Sequence, residues 1–170
     1  MGHGYDLHRL APADHPGVRP LRLAGVVIPH TMGPVAHSDG DALFHAVTDA
    51  ILGALGLPDI GQVFPDHDPA NLGRDSSQFL AHAVVAAGRA GYSPVNLDAT
   101  VILERPKLAP FKGALRAALA AALVIDPARA NVKAKTHEGL DALGQGLAVE
   151  VHAVVLLARP ERSGDAQNAR

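Results

Sequence analysis

Residues 36–53 read AHSDGDALFHAVTDAILG. Leu43, Val47, Ile51 and Leu55 recur at helical spacing and predict one buried stripe of an amphipathic helix. Ser38, followed three residues later by Asp41, is a capping-box pattern that places the start of the helix there. Gly53 and Gly56 stand near its end. His45 falls opposite the stripe, with Asp41 four residues before it and Asp49 four residues after, so three polar groups run in line. Such a face suits either a solvated charged stripe or a metal ligand flanked by carboxylates that orient it.

Upstream, residues 2–10 (GHGYDLHRL) predict a first strand. Residues 11–20 hold three prolines and predict a loop. A second strand is expected over 21–28, then a turn-rich connection over 29–34. Downstream, residues 57–74 are rich in Pro, Gly and Asp and predict a long ordered loop or a mobile flap. A second helix is expected over 76–89, with Phe79, Leu80, Ala83, Val84 and Ala87 inward. A strand follows over 95–104. A third helix opens at Pro110, which is tolerated in a first turn, and runs to residue 123. Strands over 131–136 and 146–159 complete the order. Helices alternating with strands predict an α/β or α+β layer of helices on a sheet. One catalytic domain is expected over 1–159, with a polar, frayed tail over 160–170.

The chain has 170 residues, is 48% hydrophobic and carries a formal net charge of −2. That length buries a sizeable core unaided. With only 15 Lys and Arg, it lacks the concentrated basic surface that nucleic acid demands. There is no cysteine, so disulfides and thiolate zinc sites are excluded and any metal must use His, Asp or Glu. No apolar run is long enough to span a membrane and no signal peptide is visible, which predicts a cytoplasmic protein.

Asp6 and His8 stand at i and i+2 of the first strand and therefore share a face. Alone, the pair reads better as a surface Asp–His pair or a salt-bridged edge. With His45 it becomes two imidazoles and one carboxylate, an accepted catalytic zinc set with an open fourth position. His37 and Ser38 lie at the helix start, where free backbone N–H groups favour anions; a plain cap would look the same. Asp59, Gly61, Phe64 and Asp66 suit either sugar hydroxyls or turn chemistry. Lys107 stands between two prolines, and local features favour a merely exposed lysine. Thr136 can donate to a phosphate oxygen and Glu138 can hold a harder cation; a hydrophilic strand end reads alike.

Together these stretches, with DIGQVFPDHDP, RPKLAP and KAKTHEGL, resemble the 2-C-methyl-D-erythritol 2,4-cyclodiphosphate synthase family, in its order and spacing over nearly the whole chain. The resemblance implies zinc on Asp6, His8 and His45. With Asp6 and His8, the residues His37, Ser38, Asp59, Gly61, Phe64 and Asp66 would line a methylerythritol phosphate pocket. A cytidine pocket from a neighbouring subunit would use Leu103, Lys107, Leu108, Ala109, Ala134, Lys135 and Thr136. Glu138 would hold Mg²⁺ or Mn²⁺, and His37 and Thr136 would stabilise the transition state. A ferredoxin-like α/β sandwich assembled as a homotrimer is implied, with active sites between subunits.

The implied reaction is intramolecular attack of a 2-phosphate on the β-phosphorus of a cytidine diphosphate ester, releasing CMP. A zinc-dependent phosphoester hydrolase would use the same ligands, and a metal-stabilised trimeric binding protein is the reading without turnover. One run departs from the family pattern: Ala142 and Gln145 stand where an aromatic residue and an arginine are usual. That departure implies weak or no isoprenoid diphosphate binding on the trimer axis.

Overall fold

The computed structural model describes residues 1–159; the tail expected over 160–170 lies outside the described residues. Seven strands are present among the described residues: β1 (Gly2–Pro12), β2 (Arg22–Leu23), β3 (Val26–Val27), β4 (Met32–Pro34), β5 (Ser93–Ile102), β6 (Ala130–Lys135) and β7 (Ala148–Ala158). The helices are α1 (Ala42–Ala54), α2 (Ile60–Val63), α3 (Ser77–Arg89), α4 (Lys112–Leu123) and α5 (Asp141–Gly144). The main sheet runs β4-β1-β7-β5-β6. The β5–β6 pair is parallel and the other pairings are antiparallel.

The expected mixed α+β architecture is therefore present, but the ferredoxin-like connectivity is not. A ferredoxin-like βαββαβ chain separates the strands joined by each helix. Here α4 carries β5 directly to its parallel neighbour β6, which is an ordinary crossover unit. Periodicity reveals elements; it does not reveal which strands pair.

Alternation along the strands sorts the two sheet faces. Leu97, Ala99 and Val101 of β5 and Val149, Val151, Ala153 and Val155 of β7 are fully buried on the helix side. The opposite face carries Tyr5, Leu7, Val154 and Leu156, all exposed within this chain. The α1 helix is the centre of the helical layer. Leu43, Val47 and Ile51 are fully buried, as are Ala46 and Ala50, because the helix lies between the sheet and α3. A single stripe undercounts it.

The segment 21–28 is not one strand. Ala24 and Gly25 have φ of 48° and 76°, a left-handed pair suited to a two-residue hairpin turn. This turn joins β2 to β3. Asp41 holds it in place. Its carboxylate, 0% exposed, accepts from Ala24 N (2.9 Å), Gly25 N (2.6 Å) and Phe44 N (3.0 Å). Asp41 is thus the N-cap of α1, and Ser38 instead accepts from Gly40 N. Burial pushes the Asp41 carboxyl up despite those three donors.

Asp41→Ala leaves three N–H groups without their acceptor, each worth about 1–3 kcal/mol when buried. We expect a loss of at least about 3 kcal/mol in denaturant unfolding, with Asp41→Asn in between. A parent-like midpoint for Asp41→Ala would show that the turn and cap are held by something else.

The segment 57–74 is ordered as α2 and a 3-10 turn at Pro69–Asn71. Asp49 fastens it to α1 by accepting from Ile60 N at 2.8 Å. Among the described residues, no helix is long and apolar enough to cross a membrane.

Candidate active site

Asp6 and His8 project from β1 toward the helical layer, and His45 comes down on them from α1. Glycine makes this approach possible: a Cβ on Gly4 would lie 1.8 Å from the Ala46 carbonyl oxygen. The helix backbone therefore rests on the strand backbone beside His45, at Ala46 and Ala50. His8 Nδ1 is 3.0 Å and His45 Nδ1 is 3.3 Å from Asp6 Oδ2. One donor atom from each residue falls within 4.8 Å of the others. The side chains are mostly buried, at 22% exposure for Asp6, 12% for His8 and 11% for His45.

Asp6 Oδ2 and His8 Nδ1 are buried without an aligned hydrogen bond, despite their proximity. Buried polar atoms left in that condition call for a partner. Two nitrogens and one carboxylate oxygen, converging with room for a fourth ligand, fit a divalent cation of the zinc type. Burial alone would raise the Asp6 carboxyl; the imidazoles of His45 and His8 outweigh it and hold the group far below the usual carboxylate range. Burial pushes His8 down, but the Asp6 carboxylate outweighs that and the net shift is upward.

A cation must displace the His8 proton to bind. Because His8 keeps its proton to higher pH than an ordinary imidazole, cation affinity should fall as the pH is lowered, starting before the ordinary imidazole value of about 6.5 is reached and by up to about tenfold per pH unit. Chelator competition from pH 8 to pH 6 reads this directly. A flat profile would contradict it.

The triad opens onto a cavity of about 360 Å³, which His37, Ser38, Gly61, Phe64 and Asp66 also line. Asn71, Phe79 and Ile60 join them, none of which the sequence had marked as site residues. His37 Nε2 is buried there without a partner. Asp59 does not line this cavity. Its carboxylate accepts from Gln62 N and Gln62 Nε2 and caps α2, so it serves the turn chemistry that was its other reading.

Asp41 and Asp49 do not orient His45, as the helical spacing had suggested. They point to the β2–β3 turn and to α2. The group on His45 Nε2 is Ser76 Oγ, at 2.8 Å. Ser76 lies 31 residues away and was legible only as a helix start.

A second cavity of about 300 Å³ gathers Leu103, Lys107, Leu108, Ala109, Ala134, Lys135, Thr136 and Glu138, together with Lys112. Every residue expected for a nucleotide pocket is in it. Leu103 and Leu108 are buried and form an apolar floor, and three lysines surround it. Thr136 Oγ1 donates to Glu138 at 3.2 Å. The two cavities share no residue. Asp6, Val151, Val101 and Ala134 form one row across β1, β7, β5 and β6. Three strand spacings put Ala134 roughly 14 Å from Asp6.

Fold and site together define an α+β protein with a candidate metal triad that opens onto one mixed cavity and a second, lysine-lined cavity toward the far edge of the sheet. The chain belongs to the YgbB family, whose model matches residues 1–158. It is 52% identical to the 2-C-methyl-D-erythritol 2,4-cyclodiphosphate synthase of Bordetella petrii, over 94% of this chain and 95% of that one. It is 55% identical to the chloroplastic synthase of Oryza sativa, over 94% of this chain and 69% of that longer protein. A solved synthase in a CDP-bound form superposes with a TM-score of 0.83 at 42% identity, covering 92% of this chain and 99% of the other. The bifunctional IspDF of Campylobacter jejuni matches with a TM-score of 0.85 at 42% identity, over 92% of this chain and 41% of that one.

Proposed function

We infer that this chain is a 2-C-methyl-D-erythritol 2,4-cyclodiphosphate synthase, a phosphorus–oxygen lyase acting on 4-diphosphocytidyl-2-C-methyl-D-erythritol 2-phosphate. The observation that carries this is the buried Asp6–His8–His45 set opening onto the His37–Ser38 cavity, in a chain about half identical to synthases over their length. An oxygen of the 2-phosphate forms a bond to the β-phosphorus. The bond from that phosphorus to the bridging oxygen breaks, and CMP leaves with that oxygen.

No protein nucleophile is required, so this chain's residues act by positioning and charge. Zinc at Asp6, His8 and His45, with Mg²⁺ or Mn²⁺ at Glu138 on the diphosphate, would supply charge neutralisation and Lewis acidity to the phosphate oxygens. His37, with its buried unpartnered Nε2, donates to a phosphate oxygen. Gly61, Phe64 and Asp66 hold the methylerythritol portion. Lys107, Lys112 and Lys135 surround the diphosphate, Thr136 donates to it, and Leu103, Leu108, Ala109 and Ala134 seat the cytosine.

We further propose that the working unit is a homotrimer in which the cation cavity of one subunit meets the lysine cavity of the next. The separation of about 14 Å between Asp6 and Ala134 and the exposed apolar residues on the uncovered sheet face both favour a site completed by a neighbour. His45→Ala and Lys107→Ala then damage opposite halves. Each homotrimer should lose activity, the Lys107 variant less severely. Co-refolded mixtures should partly recover, because some interfaces join two intact halves. No recovery in verified mixed trimers would place the site within one chain.

A further inference from the structure

Ser76 occupies the position preceding α3, where a serine normally accepts from its own helix, yet it makes no side-chain capping bond. It is 0% exposed, and its hydroxyl is directed elsewhere. His45 Nε2 lies 2.8 Å from Ser76 Oγ. The same hydroxyl donates to Asp39 Oδ1, and Asp39 Oδ2 accepts from Ser76 N at 3.2 Å. Asp39 itself is held by Asp39 N donating to the Arg74 carbonyl at 3.0 Å.

The proton count settles the direction of this chain. A serine hydroxyl has one proton and a carboxylate only accepts. The proton of Ser76 goes to Asp39, so Ser76 Oγ can only accept at its other contact. His45 must then carry a proton on Nε2, so in the neutral ring that a cation binds the lone pair is on Nδ1, the nitrogen that faces Asp6 at 3.3 Å. Ser38 Oγ, 3.4 Å from Nε2, already accepts from Gly40 N and is the weaker contact.

We propose that Asp39 and Ser76 are positioning residues that lock His45 in the Nε2–H tautomer and so present Nδ1 to the cation. The proposal rests on Asp6, His8 and His45 being the cation site, but not on the identity of the substrate. Partners of this kind orient ligating imidazoles and raise their basicity, and losing one lowers cation affinity by about 10–100-fold.

The test uses the full chain and the metal alone. In metal-free protein with ¹⁵N-labelled histidine, long-range ¹⁵N–¹H correlation reads the His45 tautomer. The expected result is Nε2–H in the parent and a shift toward Nδ1–H or a mixture in Ser76→Ala. Zinc affinity by chelator competition should fall about 10–100-fold in Ser76→Ala. The visible spectrum of the cobalt-loaded protein should change with it. Asp39→Asn, of the same shape, should move all three readouts the same way, and the double variant should fall no further than Ser76→Ala. Circular dichroism identifies a variant that fails to fold, in which case the other single variant carries the test. Zinc affinity within twofold of the parent in a folded variant, with an unchanged tautomer and cobalt spectrum, overturns the proposal. If zinc does not bind the parent at these residues, the site reading itself fails, and the two failures are distinguishable.

Discussion

Asp6→Ala is expected to abolish stoichiometric zinc binding and to lower turnover by at least about 10³-fold, the rate equivalent of roughly 4 kcal/mol. Asp6 Oδ2 is the atom on which both imidazoles converge, at 3.0 Å from His8 and 3.3 Å from His45. Without it, two neutral nitrogens remain on elements 37 residues apart in sequence, and two ligands do not hold a cation in place. The fold should survive, because β1 keeps its pairing with β7 through backbone bonds. The measurements are metal content after gel filtration and CMP release. Full zinc occupancy with parent-like turnover would move the metal centre elsewhere.

Gly4→Ala should be nearly as damaging, for a packing reason. The new methyl would sit 1.8 Å from the Ala46 carbonyl oxygen and 2.6 Å from Ala50 N. Both are helix backbone and cannot rotate aside. Either α1 lifts from β1 or the strand distorts, at a penalty of about 3 kcal/mol, the upper end for overpacking, or more. Because His45 rides on that helix and Asp6 on that strand, even a folded variant should lose zinc affinity. Denaturant unfolding and chelator competition measure the two effects. A parent-like midpoint would show that the contact between strand and helix is looser than described.

Residues 36–53 and 2–10 made α1, β1 and the convergence of Asp6, His8 and His45 legible. An i, i+2 pair on a strand and a histidine on an amphipathic helix declare their directions locally. The grouping of residues in the lysine-lined cavity was legible only through resemblance, since nothing in Lys107 alone distinguishes it from an exposed loop lysine. Strand pairing was not legible. Whether β6 lies beside β5 or elsewhere depends on contacts between distant residues, and so the ferredoxin-like connectivity was wrong while the elements were nearly right. The β2–β3 turn was missed because Ala24-Gly25 lacks the Asn-Gly or Asp-Gly signature; its stability comes from Asp41, 16 and 17 residues away. Asp41 and Asp49 misled for a related reason. Helical spacing shows which residues are neighbours on a helix, not which tertiary partner takes each side chain. Ser76 was hidden by the same limit.

The most direct test of the central claim is one turnover experiment in ¹⁸O-labelled water. The protein, with zinc and Mg²⁺, is given 4-diphosphocytidyl-2-C-methyl-D-erythritol 2-phosphate, and the products are followed by phosphorus NMR and mass spectrometry. Cyclisation predicts equal amounts of CMP and the 2,4-cyclodiphosphate, with no label in either, because the attacking oxygen belongs to the substrate. Label incorporated into an open phosphate ester would mean that water is the nucleophile, and would contradict the account in favour of a zinc-dependent hydrolase.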